Sequence, residues 1–230
     1  MVFTSVQGNS ATSRLLRVPV DGSSAAVVIS NVLADVNRFQ YEPSVERVLV
    51  RSGSNVENLY SIAIDGSSFI PLTNFVNPAI EVVGFSTPTG VIYFADPVVD
   101  EQISFFHVDY LGQETRELSS DAEFFAGLVG TFALSQDRNA AYFIEFFRSS
   151  IIIFTSFRLR AVDLTDFSSA DMAFIGNSSL IMGNEEFLRV LPNPTDPFQV
   201  FFIADDEVDE QADAYLATFR DGVFIDRFEQ

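Results

Sequence analysis

Two acidic runs are the most conspicuous groups in the sequence that could do chemistry. Asp205-Asp206-Glu207-Val208-Asp209-Glu210-Gln211-Ala212-Asp213 echoes Asp96-Pro97-Val98-Val99-Asp100-Glu101-Gln102. Carboxylates hold a hard cation such as calcium when several oxygens converge on one point. Neither run has the spacing of an EF-hand loop, with its central Gly and closing Glu. Asp96, Asp100, Glu101, Asp205, Asp206, Asp209 and Glu210 are therefore read as solvated loop residues that can dock a basic partner, with calcium binding as the weaker alternative. No metal ligand is assigned.

Other catalytic chemistries find little support. His107 is the only histidine and there is no cysteine, so a zinc site of nitrogen and thiolate ligands cannot be assembled. His107 alternates with Phe106 and Val108 on an apparent strand, and is expected to be a strand residue with one face wet. A Ser-His-Asp triad on a nucleophile elbow would need Gly-x-Ser-x-Gly, which does not occur. Paired carboxylates for glycoside cleavage would have to sit well inside inner strands. Glu81, Glu185 and Glu186 lie only near strand starts. There is no glycine-rich phosphate loop. No residue is assigned a catalytic role, and a non-enzymatic protein is expected.

The chain has 13 basic and 32 acidic residues, a formal net charge of −19. That charge opposes binding to nucleic-acid phosphates and anionic membranes, and favours cationic partners or a saline or extracellular setting. No stretch of 18 or more apolar residues marks a membrane span. The first residues lack a basic segment followed by a long apolar one, so no signal peptide is expected within the chain. The absence of cysteine fits an exported protein, periplasmic or extracellular. With 25 Phe and no Trp, Phe must supply most of the large core volume. The pairs Phe105-Phe106, Phe124-Phe125, Phe146-Phe147 and Phe201-Phe202 are read as core rather than as a ligand box.

The elements that would position these residues form a repeat. Leu15-Leu16-Arg17-Val18-Pro19-Val20-Asp21-Gly22 aligns with Leu59-Tyr60-Ser61-Ile62-Ala63-Ile64-Asp65-Gly66 at an offset of 44 residues, and with Phe105-Phe106-His107-Val108-Asp109-Tyr110-Leu111-Gly112 after a further 46. Weaker copies are Leu159 to Asp166 and Tyr215 to Gly222. Alternation such as Val18 and Val20 against Arg17 and Pro19 predicts a strand with unlike faces. Turns are expected at Asp21, Gly22, Asp65, Gly66, Gly112, Asp221 and Gly222, because Gly tolerates the positive φ that tight hairpins need. A short strand follows each turn, as at Ala26 to Ile29 and Met172 to Ile175. Another precedes each copy, as at Val48 to Ser52, and a further one lies before four of those, as at Arg38 to Pro43. The tally is nineteen strands, three in the first unit and four in each of the rest. Four short antiparallel strands per 40–50 residues mark a propeller blade.

The blade pattern, with Tyr60-Ser61-Ile62-Ala63-Ile64-Asp65-Gly66 and Leu72-Thr73 as its best copy, resembles the TolB-like propeller repeat. That family's turn between the first two strands reads Ser-Pro-Asp-Gly. Here it is replaced by Glu42-Pro43-Ser44 and Ser86-Thr87-Pro88-Thr89-Gly90. The fold class expected is all-β, a β-propeller of four-stranded antiparallel blades, about five in this chain, incomplete or open. One domain, 1–230, is expected, with blades near 1–31, 32–76, 77–120, 121–177 and 178–230. The resemblance implies a non-enzymatic platform that binds a protein or peptide on one acidic face. The alternatives are the propeller domain of a larger hydrolase-type enzyme whose catalytic part lies outside this chain, and a spacer in a surface protein.

Overall fold

A computed structural model describes residues 2–6, 13–30, 35–76, 83–95, 104–119, 132–148, 153–181, 189–196, 199–204, 213–218 and 225–227. Among them there is no helix. The strands form five antiparallel sheets with neighbours in sequence order. Two compact units result: Met1–Asp100 with Ser104–Leu118, and Glu101–Ile103 with Ser119–Gln230.

The first unit holds three sheets. The first joins β1 (Val2–Val6), β2 (Ser13–Arg17) and β3 (Val27–Val28). The second joins β4 (Val36–Glu42), β5 (Arg47–Ser52), β6 (Asn58–Ala63) and β7 (Phe69–Pro71). The third joins β8 (Val83–Ser86), β9 (Val91–Ala95), β10 (Ser104–Val108) and β11 (Thr115–Glu117). The middle sheet shows why these three sheets stack on one another. On β5, successive side chains point to opposite faces, yet Val48, Leu49 and Val50 are all buried. Val48, Val50 and Ile62 pack with Leu15, Ile29 and Val36. Leu49 and Leu59 pack with Leu72, Val91, Tyr93, Val108 and Tyr110. One sheet is thus covered on both faces by its sequence neighbours. Each fully buried Leu, Ile or Val contributes about 1.5–3 kcal/mol. Phe105 and Phe106 are core: Phe105 is buried, Phe106 packs against the Leu49 cluster, and their rings meet Phe94 and Tyr93 at 5.7 Å and 5.3 Å, whereas Phe201, expected in the core, is 37% exposed.

The repeat's turns and endings have a common physical basis. Gly22, Gly66 and Gly112 have φ of 68°, 77° and 66°, and their N–H groups donate to Pro19, Ala63 and Asp109 carbonyls. Asp65 Oδ1 accepts the N–H and Oγ–H of Ser67, and Asp21 Oδ1 accepts the N–H of Ser23. The Ser67 hydroxyl and amide hold the Asp65 carboxyl below the usual range, and the Ser23 amide does the same for Asp21. The fourth copy has no glycine at this position. Its turn takes one more residue, and Phe167 adopts φ 63° and donates to Asp163. Asp221 and Gly222 lie outside the described residues. The Leu-Thr ending is also explained. Thr73 Oγ1 accepts the Leu59 N–H at 2.9 Å, and Ser30 Oγ accepts that of Leu15 at 2.7 Å. Each hydroxyl satisfies a buried backbone donor of the strand beside it.

The structure corrects one strand limit here. Strand β2 ends at Arg17, and Val20 sits in the turn, 87% exposed. Pro19 has no N–H for a ladder, so the alternation read through Val18 and Val20 is not strand pairing.

The second unit holds two sheets. One joins β12 (Phe132–Leu134), β13 (Ala140–Arg148), β14 (Ile153–Asp163) and β15 (Ser169–Ile181). The other joins β16 (Arg189–Pro192), β17 (Gln199–Ala204), β18 (Asp213–Thr218) and β19 (Ile225–Arg227). Ala141, Tyr142, Phe143, Ile144, Leu159, Ala161, Val162 and Leu164 are buried. Strands β14 and β15 are far longer than the sequence suggested. Their pairing runs from Val162–Ser169 to Ile153–Ile181, with register shifts at Phe154/Ser156 and Leu159/Arg160.

Candidate functional site

Strand β4 is one of the two edge strands of its sheet. It ends the order β4-β5-β6-β7, so one ladder edge pairs with no described strand. Its two ends, Val36 and Glu42, are buried, and the five residues between them are exposed. Phe39 and Tyr41 are 36% and 41% exposed. The ends are fixed by local chemistry. Glu42, 0% exposed, accepts the N–H and the hydroxyl of Ser44 and so closes the turn into β5. At the other end a register shift between Val36 and Arg38 frees Asn37, whose Nδ2 donates to Gly53 O at 2.8 Å and to Glu57 Oε1 at 2.6 Å. Bulges of this kind re-aim side chains at sheet edges.

A cleft of about 190 Å³ opens beside β4. Arg38, Phe39 and Gln40 of β4 line it, with Leu49 and Arg51 of β5, Leu59 of β6, and Gly84 and Phe85 of β8. Gly84 keeps the floor open: a Cβ there would lie 2.9 Å from Leu59 Cδ1 and 3.4 Å from Leu49 Cδ2. The two guanidinium groups differ. Arg51 Nε is 3.2 Å from Glu57 Oε2, so its charge is compensated. Arg38 makes no hydrogen bond or ion pair among the described residues. Gln40 Oε1 accepts the Ser86 N–H at 3.2 Å, which ties β4 to β8 and turns the amide nitrogen of Gln40 away from that bond. The cleft thus offers one uncompensated cation and one amide donor over an apolar floor.

His107 belongs to no such site. It is 3% exposed, not half-wet. Both faces of a stacked sheet are covered, so alternation within the strand does not expose alternate residues. Its Nε2 lies 3.2 Å from Thr89 Oγ1. Burial pushes the ring's pKa down to about 4, against the opposing pull of Asp109. Gly90 makes room for it, since a Cβ there would fall 2.7 Å from His107 Nε2.

The acidic positions Asp96, Asp100, Glu101, Asp205, Asp206, Asp209 and Glu210 lie outside the described residues, as do Glu81, Glu185, Glu186 and the Phe124-Phe125 pair. The structure does bring together Arg38, Gln40 and Arg51, none of which the net charge singles out. The available signal was compositional: Arg38-Phe39-Gln40-Tyr41 lacks a small apolar face.

No family model matches the chain, and no curated protein matches it in sequence. Solved structures do match. A Mycobacterium tuberculosis puromycin-hydrolyzing peptidase superposes with a TM-score of 0.54 at 11% identity, over 99% of this chain and 37% of its own. An oligogalacturonate lyase from Vibrio parahaemolyticus gives 0.50 at 13%, over 90% of this chain and 55% of its own. The fold is a β-propeller. TolB from Acinetobacter baumannii gives 0.49 at 13%, over 95% of this chain and 48% of its own. The chain spans about half, or less, of the length of these three structures. At such identities the likeness establishes the fold and nothing of what this chain does.

Proposed function

We propose that this propeller is a non-enzymatic interaction module whose ligand is a protein or peptide. Strand β4 carries the reading: five consecutive exposed residues, two of them aromatic, on a ladder edge that pairs with no described strand. An extended peptide can add to such an edge, its backbone supplying the missing hydrogen bonds and its side chains meeting Phe39 and Tyr41. The acidic runs around Asp100 and Asp205 act at longer range, favouring the approach of basic ligands.

The test is selection from a displayed random peptide library against the 230-residue chain. Selected peptides are expected to lose about tenfold in affinity when Phe39 and Tyr41 are both changed to Ala, with the melting temperature kept. Neutralising Asp100, Asp205, Asp206 and Asp209 is expected to slow their association at low salt while leaving dissociation unchanged. Peptides that bind the Phe39→Ala, Tyr41→Ala chain as tightly as the unaltered one remove β4 from the account.

A second reading is favoured by the 37% of the puromycin-hydrolyzing peptidase that the chain covers. In it the propeller is the non-catalytic domain of a larger hydrolase and admits peptide to a catalytic domain. A hydrolase domain in the same reading frame supports this reading, and its absence there rejects it.

A further inference from the structure

We propose that the cleft beside β4 anchors the free C-terminal carboxylate of a bound peptide, with Arg38 as the charged partner and the Gln40 amide as a second donor. This rests on the reading of β4 as a peptide-binding strand and names what sets the peptide's end.

Residues two apart on a strand share a face, so Arg38 and Gln40 project to the same side of β4. Gln40 Oε1 is engaged by the Ser86 N–H, which leaves its amide N–H groups as the donors available to a ligand. Among the described residues Arg38 is the cleft's uncompensated cation, because Glu57 already faces Arg51. A guanidinium fork and an adjacent N–H donor match the two oxygens of a carboxylate. The floor of Leu49, Leu59 and Phe85, kept open by Gly84, suits the apolar side chain of a terminal residue.

Size and charge decide between possible anions. A cleft of about 190 Å³ is below the roughly 300–1,000 Å³ of sites that enclose whole small-molecule ligands. It suits one residue of something longer, and the edge of β4 that pairs with no described strand is where the rest would run. The net charge of −19 repels polyanions. A peptide with basic residues and a single terminal carboxylate is attracted overall and anchored locally, which an acidic polysaccharide is not.

Calorimetric titration at low salt tests this with acetyl-Lys-Gly-Leu as the free acid, the same peptide as its C-terminal amide, and a monomeric uronic acid. The free acid is expected to bind with a Kd of about 1 mM or tighter. The amide is expected to bind at least about tenfold more weakly, as loss of a charge-assisted hydrogen bond requires. Arg38→Gln, checked for an unchanged melting temperature, is expected to make acid and amide equal, and Arg38→Lys to restore part of the difference. Equal binding of acid and amide to the unaltered chain overturns the carboxylate anchor while leaving β4 as a peptide edge. Binding of neither peptide overturns both. Arg38-dependent binding of the uronic acid that matches or exceeds the peptide's overturns the assignment to a peptide.

Discussion

Lowering the pH from 7 to 4 is expected to remove roughly 3 kcal/mol of stability through one side chain, His107. The ring is buried on β10, and burial drives its pKa from 6.5 to about 4. Asp109 and Glu114 pull the other way, and Arg116 adds to the depression. An unfolded chain binds the proton near pH 6.5, whereas the folded chain resists it until about pH 4. The contribution of neutral His107 is therefore full above 6.5 and is lost progressively between 6.5 and 4, because the unfolded state binds more protons across that window. The depressed carboxyls of Asp21, Asp65 and Asp166 act lower: their contribution is present above the ordinary carboxylate pKa and lost as pH falls through their folded values. The decline in net negative charge opposes both effects. Comparison with His107→Gln isolates the histidine, since Gln can keep a hydrogen bond to Thr89 but does not titrate. Urea midpoints of the two proteins should converge as pH falls from 7 to 4.5. Parallel midpoints across that range would show that His107 is not held neutral by the fold.

Gly53→Ala is expected to cost about 4 kcal/mol, from backbone strain and steric overlap together. Gly53 follows β5 with φ 140°, a conformation L-residues rarely adopt. A Cβ there would lie 1.9 Å from the Val56 carbonyl oxygen, so the backbone itself must move. The position is also a junction. The Gly53 N–H donates to Asp35 O, and its carbonyl accepts from Asn37, which also donates to Glu57, the partner of Arg51. Displacing Gly53 therefore disturbs the entry to β4 and one wall of the cleft. Gly22→Ala is the control. Its φ is also positive, but nothing lies within 4 Å of the Cβ position, so only the conformational cost of about 1 kcal/mol applies. Urea denaturation of both variants checks the contrast. Equal losses would mean that the loop between β5 and β6 relaxes freely.

Much of the architecture is legible from the chain because the signals are local. Alternation and Asp-Gly turns locate β5 and β6 to within a residue of their ends, and the Leu72-Thr73 ending marks a hydroxyl that caps Leu59. Other features depend on what a sheet packs against. His107 reads as half-exposed because alternation separates two faces of a strand, but not a wet face from a dry one when sheets cover both. The length of β14 and β15 depends on pairing between residues up to 28 positions apart, Ile153 with Ile181, which no local pattern announces. The cleft needs β4, β5, β6 and β8 together, and its opening depends on a missing side chain at Gly84. Net charge singles out Asp100 and Asp205 but not Arg38, whose lack of a partner among the described residues is set by the fold.

Hydrogen–deuterium exchange of the chain with and without a saturating selected peptide tests the central claim most directly. If β4 is the strand that receives the peptide, amides between residues 37 and 41 should exchange more slowly in the complex. Protection confined to other segments, with β4 unchanged, would contradict the account.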